Sequence, residues 1–564
     1  MLLDNFTLMA LFVGILLLLA IPLGKFMAQL FAGEKTWCSP VIEPLERFAY
    51  RCSGVNPAEE MSWQTYAWAL LLFNLIGFGF LFGLQLLQGM LPLNPQRLPG
   101  VRWDTALNTA ISFVTNTNWQ SYGGETTMSY LTQMLGLAVQ NFLSAAVGIT
   151  VQLALTRGFL RRNAQQIGNF WVDLTRATFY VLLPLALVFA VVLMSQGVVQ
   201  TFEPYVTAKT LEGADQTIAV GPAASQIAIK QLGSNGGGFF NANSAHPFEN
   251  PTRLTNFLET LAILLLPAAL VFTFGYMLKQ AKQGWAIFWV MLMLFLLGTA
   301  GVFWAETHGN PLLAKVGVAG GVNLEGKEVR FGVAGATLWG SATTAVSNGS
   351  VNSMHDSQLP LAGLIYMFNM GIGEVVFGGV GVGLTGMLCY ILLAMFIIGL
   401  MIGRTPEFLG KKLGPAEMIW VMLALLLPIT LQLILAALAV KTDAGLASLN
   451  NPGAHGLSEI LYAYVSACAN NGSAFAGLNA NTVFYNLTLG LGILAGRIAA
   501  ILPALAIAGA LAAKKTAPAS AMTFPTTGWL FIAITLAVVL IMGGLTFFPV
   551  FALGPILEHL LLYQ

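Results

Sequence analysis

The sequence predicts an all-α membrane protein with ten transmembrane helices. Eight of them are expected to form four span–pore-loop–span repeats around a pseudo-fourfold pore, with one extra helix at each end. Three observations lead to this fold class. The chain of 564 residues is 56% hydrophobic and only 9% charged, whereas an average soluble domain is about 25% charged. It contains ten hydrophobic runs of the roughly 20 residues that a bilayer requires. Similar polar loops also occur four times at a nearly constant spacing, which indicates four copies of one unit.

The hydrophobic runs define the predicted spans. They lie near residues 5–24, 63–90, 131–155, 171–195, 256–279, 285–305, 360–402, 416–440, 485–512 and 527–550. The seventh run is too long for one plain helix, and its segment 371–383 is rich in glycine. We expect the helix to break there, because irregular backbone at membrane depth is tolerated where it lines a cavity. Close helix packing through small residues is the alternative. The carboxylate of Glu374 favours the break, since a charged group at membrane depth is costly and usually faces a cavity or the interior of the bundle.

Each polar loop follows a short apolar segment, and each is predicted to end a short pore helix. In the first repeat this helix covers 105–114, and Asp104 is expected to cap it. A short helix directs the negative end of its dipole at a cation, and a following glycine lets backbone carbonyls turn inward. The four loops end 118, 113 and 123 residues apart, at Asn118, Gly236, Gly349 and Gly472.

The loops are predicted to form a filter for K⁺ or Na⁺. Backbone carbonyls can replace the water of a bare monovalent cation, whereas a divalent ion would usually call for carboxylates, and no loop has Asp or Glu at its centre. Polar turns that merely cap helices would explain one such loop but not four in register. The predicted ligands are the carbonyls of Thr115, Asn116, Thr117 and Asn118; Gly233, Ser234, Asn235 and Gly236; Val346, Ser347, Asn348 and Gly349; and Ala469, Asn470, Asn471 and Gly472.

Three further residues are candidates for a role in the pore. Gln120 follows the first loop and either holds the pore wall by hydrogen bonds or is an ordinary interfacial glutamine. Arg404 is either a basic anchor on the inside or a positive plug at the inner end of the pore. Arg497 lies within a span, where a lone arginine is expensive. We expect Glu374 to be its partner, and snorkelling to the interface is the alternative.

Two histidine-containing segments follow filter loops. His246 comes after the second loop, and His355 and Asp356 come after the third. No second ligand stands at a metal-binding spacing near either segment. The sequence therefore predicts structural turns at these places, and no bound metal ion apart from the K⁺ or Na⁺ of the filter.

The distribution of basic residues predicts the orientation. Most of the 25 Lys and Arg residues lie in short loops after the odd-numbered spans, which places those loops inside. Both termini are therefore expected outside, and all four filter loops enter from the outside. The long outer segments 196–255 and 306–359 are expected to form small caps, with a strand-like piece at 322–333.

The repeats suggest a division of the chain into six segments. Residues 1–62 hold the extra N-terminal span and a cytoplasmic loop, 63–170 the first repeat, 171–284 the second, 285–415 the third with its broken span, 416–515 the fourth, and 516–564 the extra C-terminal span.

The composition and the motifs also exclude some functions. A formal net charge of +1 makes nucleic acid an implausible partner, whereas the lipid bilayer is an obvious one. The sequence contains neither a Gly-x-x-x-x-Gly-Lys-Ser/Thr phosphate loop nor an Asp-Lys-Thr-Gly phosphorylation motif. If ATP drives transport, another chain is expected to hydrolyse it.

Several motifs together resemble a known family over essentially the whole chain. They are TNTNWQS at 115–121, GGGFFNAN at 236–243, HPFENP at 246–251, MHDS at 354–357, GEVVFGGVG at 373–381, GRTPE at 403–407 and NNGSAF at 470–475. With them, the chain resembles the potassium-binding subunit of the bacterial Kdp potassium-transporting ATPase. That family belongs to a superfamily of K⁺ transporters with four linked span–pore–span repeats. Ser234 stands where the family often has threonine, and Asn348 where another small residue occurs.

The resemblance implies a function. Such a protein selects K⁺ from the periplasm and passes it to a P-type ATPase catalytic subunit that uses ATP. A small membrane peptide and a single-span accessory subunit complete the complex in the bacterial inner membrane. The resemblance also implies that Gly236 is a filter glycine with Gln120 beside the first loop. It likens the broken helix and Arg404 to the family's inner gate, and Glu374 and Arg497 to positions near a cavity that leads sideways to the pump subunit.

Three rival interpretations remain open at this point. A stand-alone K⁺ or Na⁺ transporter of the same superfamily, regulated by a cytosolic ring, is the nearest; the extra spans and the GEVVFGG motif favour the pump subunit. A secondary transporter should show two inverted repeats. A scaffold that moves no ion would have no use for four polar loops at bilayer depth. An adjacent P-type ATPase gene would favour the pump.

Overall fold

The computed structural model describes residues 2–318, 321–373, 375–516 and 524–564. Within these ranges, ten helices are long and apolar enough to cross a membrane, as the sequence predicts. They are Thr7–Phe31, Trp63–Met90, Thr132–Leu160, Phe170–Ser195, Arg253–Met277, Ala281–Leu313, Val382–Met401, Pro415–Lys441, Val483–Ala512 and Trp529–Leu562. The chain is therefore a multi-pass membrane protein.

The membrane helices differ in how much of their surface the protein covers. The most apolar window of Arg253–Met277 is 89% buried, whereas that of Trp63–Met90 is only 22% buried. The former consequently lies in the centre of the bundle and the latter at its lipid-facing edge. The first helix, Leu2–Phe31, packs closely against the central one. A Cβ atom on Gly24 would lie only 2.6 Å from the carbonyl oxygen of Ala269, so glycine permits this approach.

Four short helices precede the filter loops, as the repeat pattern predicts. We number them pore helix 1 to pore helix 4: Trp103–Val114, Ala223–Leu232, Gly332–Ala345 and Gly453–Ala469. Each lies in the chain between two membrane helices, which confirms the four span–pore-loop–span repeats and the two extra helices at the ends.

The predicted cap of pore helix 1 is wrong. The helix begins at Trp103, one residue before Asp104, and no side chain caps it. The buried carboxylate of Asp104 instead accepts hydrogen bonds from Arg102 (Nη2 to Oδ2, 2.8 Å) and from Asn486 (Nδ2 to Oδ2, 2.9 Å). These charged and amide donors compete successfully with the backbone N–H groups that a cap would bind.

The helix break in the third repeat is confirmed. Two helices, Pro360–Gly371 and Val382–Met401, are separated by a segment whose described residues are not helical. Left-handed φ angles occur in it at Gly373, Gly378 and Gly381 (81°, 71° and 84°), which glycine adopts without strain. Tight packing occurs there too, because a Cβ on Gly381 would lie 2.1 Å from the carbonyl oxygen of Gly148. Glu374 lies outside the described residues.

The remaining elements are short. The other helical segments are Ser39–Ser53, Gln88–Met90, Gly124–Thr127, Asn243–Ala245, Pro311–Lys315, His355–Ser357, Asp443–Leu446 and Leu557–Leu562, with π-helical turns at Thr132–Ala138, Ala177–Leu182 and Ala552–Ile556. Three antiparallel strand pairs join Met61–Ser62 to Gln166–Gly168, Val206–Lys209 to Asp215–Ile218, and Glu407–Phe408 to Lys411–Lys412.

One local prediction about the outer segments is wrong. The segment 322–333 forms turns and the start of pore helix 3, and its strand character is limited to an isolated bridge between Lys327 and Ser353. The side chain of Lys327 is buried and binds Glu306 (Nζ to Oε2, 2.7 Å). This ion pair holds the segment against the end of the sixth membrane helix.

Candidate ion-binding site

The four filter loops share one backbone conformation. The second residue of every loop has a left-handed φ angle between 52° and 68°, at Asn116, Ser234, Ser347 and Asn470. The N–H group of every third residue donates to the carbonyl five residues earlier, over 2.9–3.2 Å, at Thr117, Asn235, Asn348 and Asn471. Asparagine, which tolerates left-handed geometry better than most residues, stands at two of these places, and serine stands at the other two. The conformation repeats although the four sequences differ.

The last residue of the loops is nearly as regular. Asn118, Gly349 and Gly472 have left-handed φ angles of 57°, 79° and 100°. Gly236 is the exception, because its φ angle lies outside the left-handed region. Glycine is nevertheless required at this place for another reason.

The carbonyl groups of three loops converge at Gly236. A Cβ atom there would lie 2.9 Å from the carbonyl oxygen of Asn348, 3.0 Å from that of Thr117 and 3.2 Å from that of Asn471. All three oxygens belong to the third residue of their loop. Any side chain at Gly236 would therefore project among oxygens that come from the other three repeats.

The third-position carbonyls have a second property in common. In the part of the chain that the structure describes, no residue donates a hydrogen bond to the carbonyl oxygens of Thr117, Asn235, Asn348 and Asn471. At each of the other three loop positions, at least one carbonyl accepts such a bond. These acceptors are Gly233 (3.3 Å) and Ser234 (2.9 Å) from Asn116 Nδ2, Asn470 (2.7 Å) from Ser347 Oγ, and Gly236 (2.8 Å) from Asn243 Nδ2.

Four buried carbonyls with no donor among the described residues are chemically unusual. More than 90% of buried backbone polar groups have a hydrogen-bond partner. A set of neutral oxygens from four symmetric loops can instead surround a dehydrated cation. The geometry singles out the third position from the sixteen carbonyls that the sequence predicts as ligands.

Asparagine side chains link the first two loops. The Nδ2 atom of Asn235 donates to Oδ1 of Asn116 (2.7 Å) and of Asn118 (3.0 Å). Asn116 in turn is held by Ser144 Oγ (2.8 Å), and Asn118 donates to Oδ1 of Asn141 (2.6 Å) on the third membrane helix. The side chains therefore point away from the loop centre and bind the surrounding protein.

The other loops are linked in the same way, so the hydrogen bonds close a ring. Asn348 Nδ2 donates to Oε1 of Gln231 on pore helix 2 (3.3 Å), and Asn471 Nδ2 donates to the carbonyl of Thr343 on pore helix 3 (2.8 Å). Asn470 Nδ2 completes the ring by donating to Oγ1 of Thr117 (2.9 Å). The sequence predicts only backbone roles for these residues. Asparagine at the third position of three loops is the signal in it that indicates more.

A buried ion pair lies behind the second loop. Lys230 Nζ binds Glu249 Oε2 (2.8 Å) and Asn243 Oδ1 (2.9 Å), and both charged side chains are 0% exposed. Asn243 also donates to the carbonyl of Gly236 (2.8 Å), so the pair is connected to the filter. The sequence places Lys230 in the predicted outer segment 196–255 and assigns it no particular role. A lysine as the one charged residue of pore helix 2 is the sequence signal for its buried role.

Gln120 lies beside the filter and binds the segment after the second loop. Its Nε2 atom donates to the carbonyl of Gly238 (3.0 Å), and its Oε1 atom accepts from the N–H of the same residue (2.9 Å). The side chain therefore joins the first repeat to the second by a pair of hydrogen bonds.

A cavity adjoins the filter between the third and fourth repeats. It measures about 60 Å³, enough for several water molecules, since one needs about 10–15 Å³. Ser347 and Asn470 of the filter contribute to its wall, and so do Gly373 and Gly379 of the helix break. Arg497 also lines it, is only 6% exposed, and donates from Nη2 to the carbonyl of Ser144 (3.4 Å). This arginine is therefore buried next to the cavity.

The other predicted gate residues lie elsewhere or are not described. Arg404 is exposed near the end of helix Val382–Met401 and lines a separate pocket of about 30 Å³ with Glu407 and Phe524. The structure does not bring Arg404 to the cavity beside Arg497. The predicted pair of Glu374 and Arg497 involves a residue outside the described ranges.

Comparisons of this chain with a family model and with curated proteins point to the same family. Residues 10–560 match the model of a family described as the potassium-transporting ATPase A subunit. A "potassium-transporting ATPase potassium-binding subunit" of Pseudomonas syringae pv. tomato is 57% identical over 547 residues, which cover 97% of both chains. Another with this name, from Pseudomonas entomophila, is 57% identical over 556 residues and 99% of both chains.

A solved structure shows the same fold at low identity. The potassium transporter TrkH from Vibrio parahaemolyticus superposes with a TM-score of 0.52 and 14% identity, over 86% of this chain and 96% of that one. The family match covers nearly the whole chain, and the two relatives align with the chain over 97% and 99% of their own length. This chain therefore belongs to the family of the potassium-transporting ATPase A subunit.

Proposed function

We propose that this chain is the K⁺-selective binding and translocating subunit of an ATP-driven potassium uptake pump. The observation that carries the proposal is the set of four third-position carbonyls, which are buried and accept no hydrogen bond from any described residue. Three of them, from the other three loops, converge at Gly236. Such oxygens bind a cation in place of its water. The relatives are named potassium-binding subunits, which favours K⁺ over Na⁺.

The hydrogen-bond ring around the filter supports selectivity. Each loop is tied to its neighbours by side-chain amides, so the carbonyls are held at set positions before the ion arrives. A preorganised set of oxygens does not have to be ordered at the moment of binding, which favours tight binding. All sixteen loop residues and Gln120 are thus part of the proposed filter, the third position as ligands and the others mainly as support.

The route from the filter is proposed to lead through the adjoining cavity. Asn470 of the filter and the buried Arg497 both line it. The helix break forms another wall, and its Phe377 and Gly378 donate N–H groups to the last carbonyl of pore helix 3, at Ala345 (3.1 and 2.8 Å). A movement of the broken segment would therefore shift the end of pore helix 3, which leads into the third filter loop. We assign the inner gate to this segment, with Glu374 in it and Arg404 near the inner end.

The pump is proposed to draw its energy from a partner. No phosphate-binding loop occurs in this sequence, and the relatives are named subunits of an ATPase. A P-type catalytic subunit would hydrolyse ATP and receive K⁺ from the cavity, and a small membrane peptide and a single-span subunit would complete the assembly. The bias of basic residues supports an orientation in the bacterial inner membrane with both termini periplasmic. In this proposed orientation the chain keeps the division into four repeats between an extra N-terminal segment, 1–62, and an extra C-terminal segment, 516–564.

ATPase activity of the purified complex tests the proposal. K⁺ is titrated against Na⁺ with wild type, Gly236→Asp and, as a matched control, Gly83→Ala, where a Cβ atom meets nothing within 4 Å. Wild type and the control should show saturable stimulation by K⁺ at lower concentrations than by Na⁺. Gly236→Asp should lower the apparent affinity or the selectivity, because a carboxylate enters the carbonyl set.

Two results would contradict the proposal. If Gly236→Asp responds to both ions like wild type, the carbonyl set is not the selective site. If no ATPase co-purifies and the chain alone carries cation flux in liposomes, the chain is a stand-alone transporter instead.

A further inference from the structure

Four titratable side chains meet on one side of the filter, away from the proposed K⁺ path. Asp356 lies in the turn after the third loop, His455 and Glu459 lie one helical turn apart on pore helix 4, and Glu558 lies on the C-terminal helix Leu557–Leu562. The sequence predicts a structural turn at Asp356, because its partners lie far away in the chain. The fold brings these three segments together.

The distances between the side chains fit a metal site. His455 Nε2 lies 3.0 Å from Asp356 Oδ1 and 3.9 Å from Glu459 Oε1, and one ligand atom of each residue lies within 4.8 Å of the others. Ligands bound tetrahedrally to Zn²⁺ at about 2.0–2.2 Å are about 3.3–3.6 Å apart. The observed separations lie on either side of this range, so small side-chain movements would close the site.

The second nitrogen of the imidazole is also arranged as in metal sites. His455 Nδ1 lies 2.6 Å from Glu558 Oε1. A carboxylate at this place orients the ring and leaves Nε2 as the ligand atom, which is the usual environment of a metal-bound histidine. The ring of Phe475 stacks on the imidazole, 6.1 Å away between centroids, and restricts its rotation.

One oxygen of the buried Glu459 carboxylate supports the site. The side chain is 0% exposed, its Oε1 atom accepts from Asn451 Nδ2 (2.6 Å), and its Oε2 atom has no hydrogen-bond partner among the described residues. A buried carboxylate is expensive unless it is paired. Three carboxylates face a single imidazole, and no Lys or Arg in the described part of the chain forms an ion pair with them. A divalent cation would balance this excess of negative charge.

We propose that Asp356, His455 and Glu459 bind a divalent transition-metal ion such as Zn²⁺, and that Glu558 positions the imidazole. The mixture of one nitrogen and two carboxylate oxygens suits Zn²⁺ better than Mg²⁺ or Ca²⁺, which prefer oxygen alone. A water molecule would complete four ligands. Asp356, His455 and Glu558 are 10%, 21% and 20% exposed, which gives an ion access from solvent.

The proposed ion would pin the outer end of the C-terminal helix to the pore. Asp356 follows the third filter loop closely, and pore helix 4 leads directly into the fourth. The site therefore joins two repeats to the extra helix, and its role is structural rather than part of K⁺ transfer. This proposal does not depend on the proposed function, because metal binding is measured without transport.

Calorimetric titration with ZnCl₂ tests it, on purified complex freed of metal by a chelator and of any affinity tag. Wild type should bind one Zn²⁺ per chain and gain thermal stability. His455→Gln and Asp356→Asn should lose this binding, and Glu558→Gln should weaken it about 10–100-fold. His308→Gln provides a matched control and should bind like wild type, because the ring of His308 lies against Trp304 and bonds its carbonyl.

X-ray absorption at the zinc edge supplies a second readout that does not depend on the variants' folding. It should show one nitrogen and two or three oxygens at about 2.0–2.2 Å. If wild type binds no Zn²⁺ at micromolar concentration, or binds it as well after His455→Gln or Asp356→Asn, the cluster is an ion-pair network only and the proposal is wrong.

Discussion

The side-chain amide of Asn235 donates a hydrogen bond to Oδ1 of Asn116 over 2.7 Å and so joins the second filter loop to the first. Both residues are buried, and both belong to loops that are more than 100 residues apart in the chain. This bond belongs to a ring of amide contacts that holds the four loops, while their third-position carbonyls remain without protein donors among the described residues. Preorganisation of the carbonyls by this ring leads to the first prediction.

Removal of the amide should weaken K⁺ binding as well as stability. In Asn235→Ala, Oδ1 of Asn118 loses its donor, and a buried unpaired oxygen costs about 1–3 kcal/mol. We expect the apparent K⁺ affinity of the complex to fall by about tenfold, which corresponds to about 1.4 kcal/mol. Thermal unfolding and K⁺-stimulated ATPase activity measure the two effects. The exposed Asn241 provides the control Asn241→Ala, which should change neither. A loss of stability at unchanged affinity would show that the ring supports the fold alone.

The filter glycines should differ in their sensitivity to alanine. Gly472 combines a φ angle of 100° with a Cβ position only 2.0 Å from the carbonyl oxygen of Thr117. Gly236 lacks the left-handed angle, and its nearest oxygen is at 2.9 Å. A left-handed alanine costs roughly 1–2 kcal/mol before any clash is counted. Gly472→Ala should therefore lower the unfolding temperature more than Gly236→Ala, and Gly83→Ala should not lower it. Equal effects of the two filter variants would contradict the observed geometry.

The buried pair of Lys230 and Glu249 should matter for both the fold and the filter. Lys230→Met leaves an uncompensated buried carboxylate, and such a loss typically destabilises by about 3–5 kcal/mol. The double variant with Glu249→Gln should recover part of the stability. K⁺ affinity should fall in the single variant, because Asn243 connects Lys230 to the carbonyl of Gly236.

A second buried pair supplies the control for this prediction. Lys327 binds Glu306 over 2.7 Å, with both side chains 0% exposed. Lys327→Met should destabilise the protein by a similar amount but leave the K⁺ affinity unchanged, since the structure shows no hydrogen bond from either described side chain to a filter loop. If both variants reduce affinity equally, the effect is a general loss of structure.

His246 should make the stability of the protein sensitive to acid. Burial lowers the pKa of this histidine below its usual 6.5, although Glu249 opposes the shift. Its ring stacks on Phe240 (4.0 Å between centroids), and its Nδ1 atom accepts the N–H of Phe248 (3.1 Å). The unfolded chain therefore takes up the proton first as the pH falls below about 6.5, and stability decreases by at most about 1.4 kcal/mol per pH unit.

The pH effect is measured as unfolding temperature between pH 8 and pH 5. His246→Asn keeps an acceptor near the Nδ1 position but cannot be protonated, so its unfolding temperature should fall less steeply in this range than that of wild type. Parallel curves for the two proteins would show that His246 does not contribute to the acid sensitivity.

Much of the architecture follows from local patterns in the sequence. Long apolar runs predict membrane helices because every backbone group must be bonded within the segment in lipid. The spacing of the four polar loops predicts the repeats, and the glycines around Gly373 predict the broken helix. All three predictions are confirmed. The predicted role of Asp104 is wrong because a nearby arginine and a distant asparagine, Asn486, decide where its carboxylate lies.

The sequence by itself therefore determined the ten spans and the four loops, and it predicts neutral oxygen ligands for the proposed filter. The tertiary structure alone decided which carbonyls converge, since that depends on the packing of four segments far apart in the chain. It also decided that asparagine side chains brace the loops, that Lys230 is buried behind them, and that Asp356 meets His455. Periodicity and composition report on the local structure of a segment. The contacts named here join segments that are distant in the chain, and only folding brings their atoms together.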